Sequence, residues 1–324
     1  MKTALITGIL GQDGAYMSKL LLSKKYKVFG LIRKNDFDFE NTNYLGVTKK
    51  ISFIYGDMTN EKSLEKIINR LKPTEIYNFA AQSFVGSSWQ KAKITTEINS
   101  LGTLYLLEAI RKFSPKSKFY QASTSEMFGK SHHKGIQTEE TYFSPQSPYA
   151  ITKLYAYWMT VNYRESYGLF CCNGILYNHE SPIRGLQFVT RKITDGVARI
   201  KLGISSEIRL GNLTSKRDWG FAGDYVEAMW TMLQQKKPDD FILSTGKTHS
   251  IEDFLNIAFK HVGITNWKKY VKLDPTFERP KELMVLKGKS DKACKILGWK
   301  PSVKFEDLVK MMIDADLKRL EEKK

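Results

Sequence analysis

Residues 3–7 (Thr-Ala-Leu-Ile-Thr) form a short apolar run that stops at Gly8-Ile-Leu-Gly11-Gln-Asp-Gly14 and gives way to an amphipathic stretch reaching about Leu22. No other feature restricts the chain as much. Strand, glycine turn and helix in that order build the first unit of a nucleotide-binding α/β sheet. Gly8 permits the tight turn, Gly11 lets backbone amides approach a pyrophosphate, and Gly14 allows close helix–strand packing. The phosphate charge would rest on the helix N-terminus. The motif predicts a bound dinucleotide.

The alternation continues. Strands are predicted at Tyr26 to Ile32, Ile51 to Tyr55, Glu75 to Phe79, Lys118 to Ala122 and Leu169 to Tyr177, with helices at Ser63 to Leu71 and Ile94 to Lys112 between them. This pattern implies an α/β fold, a Rossmann-type doubly wound parallel sheet with helices on both faces. The second strand ends at Arg33-Lys34, where an NAD-selective site places an acidic residue for the ribose. A cation there suits a 2′-phosphate, so the expected cofactor is NADP rather than NAD, with Asp36 and Asp38 close behind. The small residues Ala80-Ala-Gln-Ser83 let the backbone close over it.

Ser123-Thr-Ser-Glu126 follows a predicted strand end, and Ser147-Pro-Tyr149 opens a long helical pattern. Tyr149 and Lys153 are four residues apart and therefore share a helical face. By itself such a pair is usually solvated surface. At the C-terminal edge of a parallel sheet it gains weight, because open α/β sheets gather their chemistry there. A cation near a phenol lowers a pKa that starts near ~10, which would make Tyr149 a base for a hydroxyl proton.

Composition excludes several classes. Apolar content of 42% in 324 residues is that of a globular protein, and no segment has the apolar length of a membrane span. The N-terminal run is too short for a signal peptide, so a cytoplasmic protein is expected. Three Cys and five His show no metal-ligand spacing, and no metal is expected. The net charge of +17 is spread over many helix faces without a nucleic-acid motif. It fits attraction of an anionic substrate better than a nucleic-acid partner. Asn178, Lys192 and Arg217, each in or beside a loop, and Arg279-Pro-Lys-Glu282 form polar-basic patches suited to sugar hydroxyls and phosphates. The expected division is a dinucleotide-binding unit at 1–177, with 220–250 returning to it, and a smaller interleaved α/β substrate-binding unit at 178–219 and 251–324.

Together these stretches resemble the extended short-chain dehydrogenase/reductases, the NAD-dependent epimerase/dehydratase family, and within them the GDP-mannose 4,6-dehydratase branch. The likeness rests on Gly8 to Gly14, Ala80 to Ser83, Ser123 to Glu126, Ser147 to Tyr149 with Lys153, Asn178-His-Glu-Ser-Pro182, Lys216-Arg-Asp-Trp219 and Arg279-Pro. It implies a hydro-lyase with tightly bound NADP that turns GDP-D-mannose into GDP-4-keto-6-deoxy-D-mannose. Catalysis would fall to Thr124, Glu126, Tyr149 and Lys153. Gly8, Gly11, Gln12, Asp13, Gly14, Arg33, Asp57, Met58, Ala80, Ser83 and His179 would bind the cofactor together with Tyr149 and Lys153. Ser83, Asn178, Lys192, Arg217, Arg279 and Glu282 would bind the nucleotide sugar.

Rival readings are a GDP-heptose 4,6-dehydratase and a C4 dehydrogenase or epimerase on the same scaffold; the latter has no use for Glu126. A non-catalytic NADP-binding protein is a third. The resemblance further implies a downstream reductase, epimerase or aminotransferase of a deoxysugar pathway, no membrane and no nucleic acid. Two departures stand out. The branch's Arg-Ser-Ser-Ser segment, which reaches a neighbouring subunit's cofactor, is here a shortened Arg33 to Glu40, so a homodimer is expected, with a homotetramer the alternative. Gly185-Leu-Gln-Phe188 replaces Gly-Glu-Thr-Phe near the sugar.

Overall fold

The computed structural model describes residues 1–277 and 285–322. Fourteen strands are present among them: β1 (Thr3–Thr7), β2 (Lys27–Ile32), β3 (Ser52–Tyr55), β4 (Glu75–Asn78), β5 (Lys118–Thr124), β6 (Cys171–Leu176), β7 (Asn178–Glu180), β8 (Ile208–Leu210), β9 (Lys216–Arg217), β10 (Trp219–Phe221), β11 (Phe241–Leu243), β12 (His249–Ser250), β13 (Val271–Leu273) and β14 (Val285–Leu286). The α-helices are α1 (Gln12–Ser23), α2 (Glu40–Tyr44), α3 (Glu61–Leu71), α4 (Ala92–Thr96), α5 (Gly102–Phe113), α6 (Pro148–Tyr167), α7 (Val189–Lys201), α8 (Ala222–Gln234), α9 (Ile251–His261), α10 (Asp291–Leu297) and α11 (Phe305–Glu321).

Seven strands form one parallel sheet in the order β11-β6-β5-β4-β1-β2-β3. From β1 the chain winds outward through β2 and β3, then crosses to β4 and winds the other way. The order therefore reverses between β1 and β4, where doubly wound sheets leave a crevice beyond the strand ends. One sheet face packs on α1 and α8 through residues such as Ile6, Met17, Met229 and Met232; the other packs on α3 and α5 through Leu5, Ile67, Leu106 and Ile110. A further core lies outside the sheet. It joins α7, α9 and α11 through Val197, Phe254, Met312 and Ile313.

Helix α6 is fixed at both ends. Ser147 caps it by accepting the Ala150 N–H at 3.1 Å, Pro148 suits the first turn, and Gly168 ends it at φ +65°. Near its far end, Arg164 makes two 2.8 Å bonds to the buried Asp240, which also accepts from the Asn173 backbone at 2.9 Å. That cluster ties the helix to β6 and β11.

Two expectations change. The predicted single helix from Ile94 to Lys112 contains a π-turn at Glu97–Leu101, which separates α4 from α5. Asn178–Glu180, expected as loop, is a short strand paired in parallel with Trp219–Phe221.

Candidate active site

The C-terminal ends of β1, β4, β5 and β6 surround one cleft of about 150 Å³. At the switch point, Gly8 adopts φ +65°, and a Cβ there would lie 2.7 Å from the Ala80 nitrogen. Only glycine fits. A Cβ on Gly14 would lie 2.4 Å from the Gly8 carbonyl oxygen. Gly14 thus packs against the turn itself, at Gly8 and Ile9, rather than against the strand as expected. Gly11 is the N-cap of α1 and has no side chain to cap it. The first-turn amides of a twelve-residue helix therefore face the crevice uncapped, an end that attracts an anion. These residues fit a dinucleotide's pyrophosphate.

Across the cleft, β5 runs on to Thr124, so the threonine is the last residue of the strand and Glu126 lies in the 3₁₀ turn Ser125–Met127. The Glu126 N–H donates to the Thr124 hydroxyl at 3.3 Å. Tyr149 on α6 is hydrogen-bonded to Thr124 and buried. Lys153, one turn on, donates from Nζ to the Ala122 carbonyl at 2.8 Å, and its Nζ is 6.0 Å from the Tyr149 ring centre. Thr124, Glu126, Tyr149 and Lys153 all line the cleft with Asp13, Ser83, Asn178, His179 and Arg217.

The electrostatics depart from expectation. Burial pushes the Tyr149 phenol up to about 12, and the Thr124 hydrogen bond offsets only part of that. Burial also lowers Lys153 to about 8, against an upward pull from Asp13. Within the protein the cost of burying a phenolate outweighs the pull of a lysine, so the expected lowering of Tyr149 is not reached. Lys153 keeps most of its charge at neutral pH.

The other predicted residues divide by position. Gln12 donates to the His179 carbonyl at 3.0 Å, and Asp13 faces the His179 ring. Arg33 is exposed and forks onto Asp36 at 2.8 and 2.9 Å. Asp57 caps its own turn by accepting from Thr59, and Met58 is buried beside it. Lys192 does not line the cleft; its Nζ stands 3.2 Å from the Phe277 ring centre, and burial lowers its pKa. Arg279 and Glu282 lie outside the described residues.

Two residues were given no site role from the sequence. Arg184 lines the cleft, stacks over Phe188 at 3.5 Å and pairs with Glu180 at 3.0 Å. Asn99 sits in the π-turn, accepts the Gln82 N–H at 2.9 Å and donates to Thr152 Oγ1 at 3.2 Å. It links the loop after β4 to the helix turn between Tyr149 and Lys153. Arg184 stands two residues after the Asn178 to Pro182 stretch, a signal that was available; Asn99 had none.

Among the described residues no group of three His, Cys, Asp or Glu side chains gathers to hold a metal, and no helix is long and apolar enough to cross a membrane.

Comparison with known proteins points one way. The family model described as GDP-mannose 4,6 dehydratase matches residues 5–312. GDP-mannose 4,6 dehydratase 2 of Arabidopsis thaliana is 51% identical over 327 residues, covering 98% of this chain and 87% of that one. The human GDP-mannose 4,6 dehydratase is 46% identical and covers 97% of this chain and 91% of its own. Among solved structures, Thermus thermophilus UDP-glucose 4-epimerase in complex with NAD superposes with a TM-score of 0.85 at 25% identity, covering 97% of this chain and 98% of that one.

Proposed function

The chain belongs to the GDP-mannose 4,6-dehydratase family, and from that premise we propose that its cleft converts GDP-D-mannose to GDP-4-keto-6-deoxy-D-mannose. A bound nicotinamide dinucleotide would take up the C4 hydride and return it at C6, leaving no net redox change. Acting as its phenolate, a form that burial alone disfavours, Tyr149 removes the C4 hydroxyl proton, and Thr124, bonded to Tyr149, holds that hydroxyl in line. Lys153, cationic and anchored on the Ala122 carbonyl, favours the developing phenolate. The C4 ketone acidifies C5. Glu126 then takes the C5 proton and protonates the departing C6 hydroxyl, so one carboxylate serves as base and then acid on adjacent carbons, and as hydride comes back to C6 the proton held by Tyr149 goes to C5. Asn178 and Arg217, which line the cleft, bind the nucleotide diphosphate; the family resemblance adds Lys192, which stands outside the cleft, and Arg279, with Glu282 on the ribose.

One observation carries this reading: Glu126 stands on the same rim as Thr124 and Tyr149. A simple C4 dehydrogenase needs no carboxylate there. The test incubates the protein with GDP-mannose and NADP⁺ and follows products by mass spectrometry. Loss of one water without accumulating NADPH supports the dehydratase; NADPH without water loss overturns it. A GDP-heptose is the second reading, favoured by Gly185-Leu-Gln-Phe188. Leu186 there is exposed, and no carboxylate occupies the segment.

We propose NADP over NAD. Arg33 and Lys34 bring two cations to the end of β2, and a 2′-phosphate would take the place Asp36 holds on the Arg33 fork. A homodimer is proposed through α6, where Ile151, Tyr155 and Trp158 form an exposed stripe at helical spacing. The division into a dinucleotide unit and a substrate unit (178–219 and 251–324) is supported by the separate core of α7, α9 and α11. A cytoplasmic location is proposed on the free thiols of Cys171, Cys172 and Cys294.

A further inference from the structure

Asp13 lies in the first turn of α1, the helix end that the proposed function assigns to the pyrophosphate. That end attracts anions, yet a bare carboxylate beside it would repel the same diphosphate. Asp13 is not bare. His179 of β7, 166 residues along the chain, sets Nε2 2.9 and 3.0 Å from its two carboxylate oxygens. The other ring nitrogen, Nδ1, lies 2.9 Å from the Tyr177 carbonyl oxygen.

Those two neighbours fix the protonation state. A backbone carbonyl can only accept, so Nδ1 must carry a proton. The Asp13 carboxyl accepts the Gln12 amide N–H at 3.2 Å and turns both oxygens to Nε2, 2.9 and 3.0 Å away, the contact of an ionised group with a donor rather than of a single O–H with an acceptor. Nε2 must then donate as well, and a neutral imidazole has only one N–H to give. The doubly protonated ring satisfies every contact. Its face lies on Tyr225 at 4.7 Å and 19° from parallel, a surface that suits a cation. Among charged neighbours, Asp13 from α1 favours the proton, while Arg184 from the loop after β7 opposes it, as burial does. Direct contact with Asp13 outweighs both.

We propose that His179 is held as an imidazolium that cancels the charge of Asp13, so that the glycine turn presents a net attractive end to a diphosphate. The pair positions the cofactor and takes no part in the chemistry; the inference rests on the dinucleotide reading of the cleft. Asp13 is retained because its bond to His179 ties the turn to β7. Gln12 and Ser181 brace the same joint, with the Ser181 hydroxyl donating to Gln12 at 2.8 Å.

The test strips the full-length protein of cofactor and titrates it calorimetrically with NADP⁺. His179→Gln leaves the carboxylate bare, and affinity is expected to fall tenfold or more. Asp13→Asn is isosteric and lets a neutral His179 keep both bonds, so its loss of affinity should be several-fold smaller than that of His179→Gln. The double variant Asp13→Asn/His179→Gln should recover most of the loss. Equal weakness of Asp13→Asn and His179→Gln, or a double variant no better than His179→Gln, overturns the proposal. A second readout is independent of cofactor and of variant folding. With ¹⁵N-labelled histidine, both ring nitrogens of His179 should carry a proton at pH 7.5, and a neutral tautomer overturns the proposal outright. Wild type that binds neither NADP⁺ nor NAD⁺ instead overturns the dinucleotide reading, and with it the purpose assigned to the pair.

Discussion

Arg191 and Asp316 form a buried pair, the Arg191 Nε lying 2.8 and 2.9 Å from the two Asp316 oxygens, and it joins helix α7 to the last helix, α11. Asp316 also accepts from Arg319, which donates to the Pro182 carbonyl at 2.6 Å, while Arg191 donates to the Arg184 carbonyl at 2.8 Å. One carboxylate thus organises both cations that hold the loop bearing Arg184. Breaking such a pair leaves buried charge uncompensated. Asp316→Ala is expected to lower stability by about 3–5 kcal/mol in urea unfolding. A change under 1 kcal/mol would mean solvent reaches the site.

Glu126→Gln removes the proposed acid–base group for C5 and C6 but leaves Tyr149 and Thr124 in place. Water loss is expected to slow by about 10²–10⁴-fold, with C4 oxidation now visible as NADPH absorbance at 340 nm. Full turnover in this variant would assign the elimination to another group.

Lys153 supplies its charge only while protonated, and burial has lowered its pKa to about 8. Activity should therefore fall as pH rises through that value in a kcat/KM–pH profile, which reports the protein before substrate binds. Whatever activity Lys153→Arg retains should lack that limb, because a guanidinium stays charged throughout. An identical limb in both proteins would point to a different titrating group.

The Asp13–His179 pair makes stability depend on pH in two directions. Burial opposes both charges, but the partners prevail: Asp13 falls below its ordinary 3.8 and His179 rises above its ordinary 6.5. The histidine's contribution is complete below 6.5 and is lost as pH climbs through its raised value; the aspartate's is complete above 3.8 and is lost as pH drops through its lowered one. The joint contribution peaks between those limits. Subtracting the Tm–pH curve of Asp13→Asn/His179→Gln from that of wild type should isolate a plateau from about pH 4 to 6.5, and a difference independent of pH would contradict it.

Gly14→Ala places a Cβ 2.4 Å from the Gly8 carbonyl oxygen, a backbone atom that cannot turn aside. Overpacking of this kind costs about 1–3 kcal/mol, and the turn must open to relieve it. Both the melting temperature and NADP⁺ affinity should fall, whereas Gly203→Ala, at an open surface turn, should spare cofactor binding.

Much of this was legible because it is local. The run from Thr3 to Gly14 carries its own turn chemistry, and Ser147-Pro148 announces the start of α6 as Gly168 announces its end. Tyr149 and Lys153 needed only helical spacing. What stayed hidden depends on partners distant in the chain. Asp13 meets His179 only after β7 pairs with β10, and three residues of strand are too few for a periodic signal. The direction of the Tyr149 shift was misjudged because spacing reports proximity to Lys153, whereas burial, the larger effect, is a property of the whole fold. Nothing in Glu97 to Leu101 departs from an ordinary helical pattern, so the π-turn could not be read from residue types.

That π-turn makes the chain intolerant of a change that sequences often absorb. It holds one residue more than a regular turn, so α4, packed beside α6, and α5, packed beside α3, meet their neighbours in offset rotational registers. Deleting any one residue between 97 and 101 would yield a more regular helix and a worse protein. The segment on one side would rotate by about 100°, carrying Asn99 away from Gln82 and Thr152 or the apolar stripe of α5 away from α3. Length at this point is as constrained as residue identity is in the glycine turn.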